Sequence, residues 1–243
     1  MTTDTTPQAD PQANDALKGR WALKDVQPET VLDLLPGMDR VMIAIRGGNF
    51  IHERLGTVDS VSSNDGNIVI KGAEQDITVP ENTLQSVVLD ISTEMRGKLY
   101  PRLEFQGADG TRIMSVTGLE GINPFDAALS SLSRSAIDLA PVPTRGDDPT
   151  PEIAPDDPGL TFLSQFSDNK DPVQIRALCA DAVQRWDGVI EKIVPMGGHI
   201  NVMTSGFHLH LAAGAVAHWE SDGGIHRAMD DSGHPIGLEV VAP

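Results

Sequence analysis

The chain of 243 residues carries 18 Lys+Arg against 35 Asp+Glu, a net charge of -17, 40% apolar residues and one cysteine. That length and apolar share suit one large domain or two small ones. The surplus of negative charge excludes nucleic acid and anionic membrane surfaces as partners. The lone Cys179 excludes an internal disulfide framework and every CxxC metal or redox motif.

Residues 1–15 are polar, lack the basic start and apolar run of a secretion signal, and read as a disordered tail. No apolar stretch is long enough to cross a bilayer, so the sequence predicts a cytoplasmic protein with no membrane insertion. PETVLDLL (28–35) reads as a first helix. VMIAIRGGNFIHERLGTV then alternates as two strands joined near Gly47–Gly48, and IVIKGAEQDITV reads as a hairpin with one buried face. LEFQGADGTRIMSV is a further hairpin with Asp109–Gly110 as its turn. NPFDAALSSLSRSAIDLA (123–140) predicts a helix with Asn123 as N-cap and Pro124 at its first position. Residues 140–159 hold Pro141, Pro143, Pro149, Pro151, Pro155 and Pro158 among Asp and Gly, and read as a linker. DPGLTFLSQF and DPVQIRAL predict short helices beyond it, and INVMTSGFHLHL repeats the hairpin pattern.

The two sides of the linker look like copies. A shift of 132 positions lays FIHERLGTVDSV (50–61) on AVQRWDGVIEKI (182–193) without a gap, and Ile68, Ile70, Ile77 and Val79 fall on Ile200, Val202, Leu209 and Leu211. ADGTRI and DSGHPI agree at a shift of 123, which places a nine-residue insertion in the first copy. The expected architecture is α+β: an internal duplication of two antiparallel β-sheets with few flanking helices. Its expected parts are the tail 1–15, a first repeat 16–139, the linker 140–159 and a second repeat 160–243.

GxGxxG, P-loop, GxSxG and HExxH motifs are absent. Cys179 has no context that would activate a thiol and reads as buried and inert. Glu53 and Glu191 read as solvated strand residues. Six of the seven histidines lie in the second copy. His208 and His210, spaced i and i+2, project to one face of a strand, a spacing that suits a metal ion, although the sequence fixes no third ligand. His52 follows Phe50 and Ile51 and lies six residues after Arg46. An imidazole in apolar company with a guanidinium nearby suits a haem iron and a propionate, or an ordinary strand position.

RGGNFIHERLGTV (46–58) resembles the RNxxAVHExxGxY segment of the HemS/ChuS haem-utilisation family, soluble proteins that receive haem inside Gram-negative bacteria. LEFQGADGTRI resembles that family's SLQFFDxxGxAV hairpin. GVIEKIVPMGGHINVMTSGFHLHL (188–211) is similar along its length to GxVExIxPMGxWLNVxxPxFxLHL, and DDSGHPIGLEVV resembles the closing hairpin. The resemblance implies a shortened, divergent member with two repeats, binding b-type haem as ligand or substrate. It implies His52 as a ligand to the haem iron, Arg46 as a propionate partner, and a structural role for His210. A haem ABC transporter or an electron donor would be the implied partner, and the role either carriage of haem or help in its degradation. The sequence departs from the family at Ser164, which stands where the family places its principal iron-ligating histidine. The family's propionate-holding cations also have no counterpart in QDITVPE or HWESDGG. The alternative expectation is therefore a scaffold or regulatory module of the same fold that has lost haem.

Overall fold

Alternating apolar and polar residues dominate the chain, and in the computed structural model, which describes residues 15–140 and 152–242, they form strands. The first half supplies β1 (Arg20–Leu23), β2 (Arg40–Arg46), β3 (Phe50–Thr57), β4 (Ser60–Asn64), β5 (Asn67–Lys71), β6 (Asp76–Pro80) and β7 (Ser86–Asp90). A short ribbon, β8 (Glu94–Met95) with β9 (Lys98–Leu99), precedes β10 (Arg102–Gln106), β11 (Arg112–Gly118) and β12 (Arg134–Ile137). The second half supplies β13 (Pro172–Cys179), β14 (Ala182–Val189), β15 (Ile193–Met196), β16 (His199–Met203), β17 (Phe207–Ala212), β18 (His218–Asp222), β19 (Ile225–Met229) and β20 (Pro235–Val241). Helices α1 (Pro28–Leu32), α2 (Ile122–Leu129) and α3 (Pro158–Asn169), with a 3-10 turn at Leu35–Gly37, give modest cover.

Strand bounds recur at the offsets read from the sequence. Adding 132 carries β2, β3, β5 and β7 onto β13, β14, β16 and β18, and adding 123 carries β10 and β11 onto β19 and β20. Eleven residues separate Asp90 from Arg102, against two between Asp222 and Ile225, and the difference of nine is the β8–β9 ribbon with its flanks.

Among the described residues, each large sheet draws on both halves. A ten-stranded sheet runs β12-β1-β7-β10-β11-β2-β3-β17-β16-β15, and an eight-stranded sheet runs β18-β19-β20-β13-β14-β6-β5-β4. The halves therefore exchange three strands: β15–β17 extend the first half's sheet, and β4–β6 extend the second's. The two junctions match in register, with Leu209 opposite His52 in one sheet and Ile77 opposite Gln184 in the other. Inward residues of both sheets, including Phe50, Ile68, Ile77, Phe105, Ile175, Trp186, Phe207 and Leu209, merge into a single core. Packing of this kind leaves neither half able to bury its own inner face alone.

Three local expectations are corrected. The predicted 123–140 helix stops at Leu129, and residues 134–137 turn back as edge strand β12, pairing Leu23 with Arg134 and Ala22 with Ser135. The run Ser130, Ser131 and Ser133 explains the stop, because serine competes for backbone hydrogen bonds and disfavours a helix interior. The helix also begins two residues early, at Ile122 with Gly121 at the N-cap position (φ 95°) in place of Asn123. DPVQIRAL is strand β13, whose buried Val173, Ile175 and Ala177 follow a period of two. The expected tail falls outside the described residues except for Asp15, as does the linker from 141 to 151.

The last linker residues are tied into the fold. Buried Asp157 caps α3, accepting from the backbone N–H of Gly159 at 2.8 Å and Leu160 at 3.2 Å, and also accepts from Gly214 N–H at 2.8 Å. Asp157→Ala orphans all three donors, so thermal or urea unfolding should show a loss of about 2–3 kcal/mol, above the usual cap value. A loss under about 0.5 kcal/mol would show that the cap and the Gly214 tie contribute nothing.

Candidate functional site

Register decides which candidate residues share a face, because residues directly opposite each other on paired strands point the same way. His52 lies opposite Ile45 and Leu209 and points inward. Arg46 lies opposite Ile51, which lies opposite His210, so Arg46 and His210 occupy the outer face. A second outer row crosses five strands: Glu104, Ser115, Ala44, Glu53 and His208. The structure thus separates His52 from Arg46 by the thickness of the sheet.

His52 is 0% exposed, between the two sheets. Its Nδ1 lies 3.0 Å from Gln184 Oε1, and its Nε2 lies 3.3 Å from the carbonyl oxygen of Ile175. Gln184 Nε2 donates to the carbonyl oxygen of Ile43 at 2.9 Å, which turns its oxygen towards the ring and assigns the proton to Nδ1. Shifts of 132 relate His52 to Gln184 and Ile43 to Ile175, so this polar pair sits on the local twofold axis between the halves. Burial pushes the imidazole pKa down to about 4 against the pull of the Gln184 hydrogen bond, so the ring is neutral at pH 7. Phe207 packs against it at 4.8 Å and stacks on Trp186 at 4.4 Å. Both ring nitrogens are engaged within the core, and none is turned to a cavity.

Arg46 is placed differently. It emerges at the end of β2 into an open groove of about 500 Å³ lined by Gly47, Gly48, Arg112, Leu178, Cys179 and Ile236. Among the described residues it has no ion pair or hydrogen bond. Partial desolvation and then the neighbouring Arg112 charge lower its pKa, against the pull of the Glu53 and Glu104 carboxylates. Burial also raises the Cys179 thiol, which stays protonated, in keeping with an inert cysteine. The approach of the backbone matters here: a Cβ on Gly237 would lie 2.4 Å from the Leu178 carbonyl oxygen.

Ser164 lies on α3 and lines a separate open cavity of about 460 Å³ with Leu160, Ser167, Lys170, Lys192 and Ile193. A hydroxyl there is a far poorer iron ligand than an imidazole. Glu53, expected to be solvated, is only 12% exposed at its side chain and faces His208 and His210. The sequence alone could not pair it with His208, because the contact spans 155 positions.

The fold and these sites define a duplicated antiparallel double-sheet protein with a cationic groove at one end of the sandwich. Solved structures of this same fold are ChuS from Escherichia coli O157:H7, a heme degrading enzyme, at 16% identity, covering 93% of this chain and 81% of that chain with a TM-score of 0.70; ChuS described as an E. coli heme oxygenase, at 15% identity, 97% and 87% coverage and 0.71; and PhuS, a heme-binding protein from Pseudomonas aeruginosa, at 13% identity, 93% and 82% coverage and 0.67. The chain is thus a divergent form of the ChuS and PhuS fold. No protein-family model and no curated protein matches it. No helix among the described residues is long and apolar enough to cross a membrane.

Proposed function

We propose that this protein binds haem as a carrier, holding the propionates in the Arg46 groove. The observation that carries the reading is Arg46, exposed at the mouth of the groove at the end of β2, whose side chain makes no ion pair among the described residues. Arg112 stands beside it, and Leu178, Cys179 and Ile236 offer an apolar wall for a flat ring. The fold shared with haem-binding PhuS and heme-degrading ChuS supports the same ligand. With it come the expected cytoplasmic location, a part in haem acquisition, and a haem transporter or electron donor as partner.

The residues fit the two halves of haem unequally. Arg46 suits a carboxylate, with Arg112 beside it bridged to Glu104 at 2.8 Å, but the groove lining holds no imidazole, and its thiol is protonated. His52 would have to leave Gln184 and the core to reach an iron. No step of haem chemistry follows from such a site, and carriage is the simpler role. A second reading, a scaffold that has lost haem, is favoured by the burial of His52 and by Ser164 on α3.

Absorbance titration with hemin separates the readings. The expected result is a saturable one-to-one Soret shift in the wild type, weakened about 10- to 100-fold in Arg46→Ala, as a charge-assisted hydrogen bond of about 1.5–3 kcal/mol implies. Metal-free protoporphyrin should bind comparably, because the carboxylates dominate. The absence of a saturable shift would favour the scaffold, and unchanged affinity in Arg46→Ala would remove the groove from the proposal.

A further inference from the structure

We infer that Glu53, His208 and His210 form a binding site for a first-row divalent metal ion on the outer face of the ten-stranded sheet. The inference is independent of the haem reading and uses none of the groove residues.

The sheet builds the site. His208 and His210 lie two apart on β17 and point to one face, and the β17–β3 register sets Glu53 directly opposite His208 and diagonal to His210. Glu53 Oε2 lies 3.3 Å from His208 Nδ1 and 3.6 Å from His210 Nε2. One ligand atom from each residue falls within 4.8 Å of the others. Ligands bound at about 2.0–2.2 Å around a tetrahedral or octahedral ion stand about 3.0–3.5 Å apart, so two edges already have nearly the required length. Closing the third needs a shift of about an ångström in side chains that are 21% and 26% exposed.

A neighbouring residue prepares His210 for that role. Its Nδ1 lies 2.6 Å from Asn201 Oδ1, opposite it on β16. The Asn201 amide nitrogen donates to the carbonyl oxygens of Val194, Met196 and His199, at 2.9, 3.1 and 2.9 Å, which fixes its oxygen towards the histidine. His210 Nδ1–H therefore donates to Asn201, and the Nε2 lone pair faces Glu53. Metal-bound histidines are held by this kind of outer hydrogen bond, which sets the tautomer and orients the ring.

Two imidazoles and one carboxylate suit zinc, cobalt, nickel or ferrous ions over calcium or magnesium, which prefer all-oxygen shells. Three protein ligands leave the outward positions open to water or a small ligand. The net charge of -17 adds a favourable field for a cation.

Calorimetric titration of untagged, chelator-stripped protein with Zn²⁺ tests the site, with Co²⁺ absorption as a second readout of imidazole ligation. The expected result is one ion per chain, at least tenfold weaker in Glu53→Gln and in His210→Ala. Asn201→Ala, which touches no metal, should weaken binding about 10- to 100-fold. His218→Ala, on distant β18, should leave binding unchanged. If His210→Ala unfolds, His208→Asn gives the same reading at the other imidazole. Absence of stoichiometric Zn²⁺ binding in the wild type, or wild-type affinity in both Glu53→Gln and His208→Asn, would overturn the assignment.

Discussion

His52→Ala should destabilise the protein by about 3–5 kcal/mol, as an emptied core position adds to a buried amide left without its partner. The ring is wholly buried, packs on Phe207, and faces the oxygen of Gln184 across the axis joining the halves. Its loss opens a cavity between the two sheets, where β3 of the first half faces Gln184 of the second. His52→Gln should cost far less. It gives the axis the same residue on both sides, and a second amide can donate to Ile175 as Gln184 donates to Ile43. Urea unfolding of the two variants would show the order, and equal losses would refute a specific polar pair.

The same residue sets a pH dependence. The folded pKa lies near 4, below the ordinary value of 6.5, so the unfolded chain takes the proton first as the pH falls. His52 therefore contributes its full stabilisation above pH 6.5, and that contribution shrinks between pH 6.5 and about 4, by about 3 kcal/mol in all. Subtracting the His52→Gln curve isolates this slope from the carboxylates, which act lower on the scale. A stability difference that stays flat from pH 7 to 4 would mean that the ring is not buried in neutral form. This dependence also bears on haem: a histidine whose ring is held in the core by its hydrogen bond to Gln184 is not available as a free iron ligand.

Much of the sheet was legible because strands announce themselves locally. Period-two alternation around Gly47–Gly48, around Gly72 and around Asp109–Gly110 marks β2–β3, β5–β6 and β10–β11 without any tertiary information. What local pattern cannot carry is pairing between distant strands. The exchange of β4–β6 for β15–β17 depends on the β3–β17 and β14–β6 junctions, and nothing in either run names its partner. Strand β12 was hidden for the same reason, since Arg134–Ile137 becomes a strand only against β1. Site residues divide in the same way. Arg46 and the His208–His210 pair were visible as residue types at a spacing, but Glu53 joins the histidines only through cross-strand register. His52 carried a signal that went unused: the 132-residue offset already places it on Gln184, and residues related by a twofold axis meet where that axis passes between the sheets.

Glu104→Ala should be the other strongly destabilising change, by about 3–5 kcal/mol and on the order of 10 °C in Tm. The Glu104 side chain is 5% exposed and bridges three guanidinium groups: Arg20 at 2.5 Å, Arg102 at 2.9 Å and Arg112 at 2.8 Å. Burial alone would push its carboxyl up, yet the Arg20 hydrogen bond and the Arg102 and Arg112 charges hold it below the usual carboxylate range. Its stabilisation is therefore present above the unfolded pKa of about 4.5 and is lost as the pH falls below it. Removing any one arginine is milder, because the carboxylate keeps the other two, whereas removing the carboxylate leaves Arg112 without its ion pair and Arg20 and Arg102 sharing the buried Asp90 alone.

The change reaches the groove, since Arg112 lines it beside Arg46. In Glu104→Gln, which keeps the side-chain volume and one acceptor, Arg112 loses its anionic partner and becomes free for a ligand carboxylate. This variant should thus unfold more easily and yet bind hemin more tightly, by about 3- to 10-fold if part of one charge-assisted hydrogen bond is regained. A folded Glu104→Gln protein with weaker hemin binding would remove Arg112 from the ligand site. It would leave the arginine cluster as a device of stability alone.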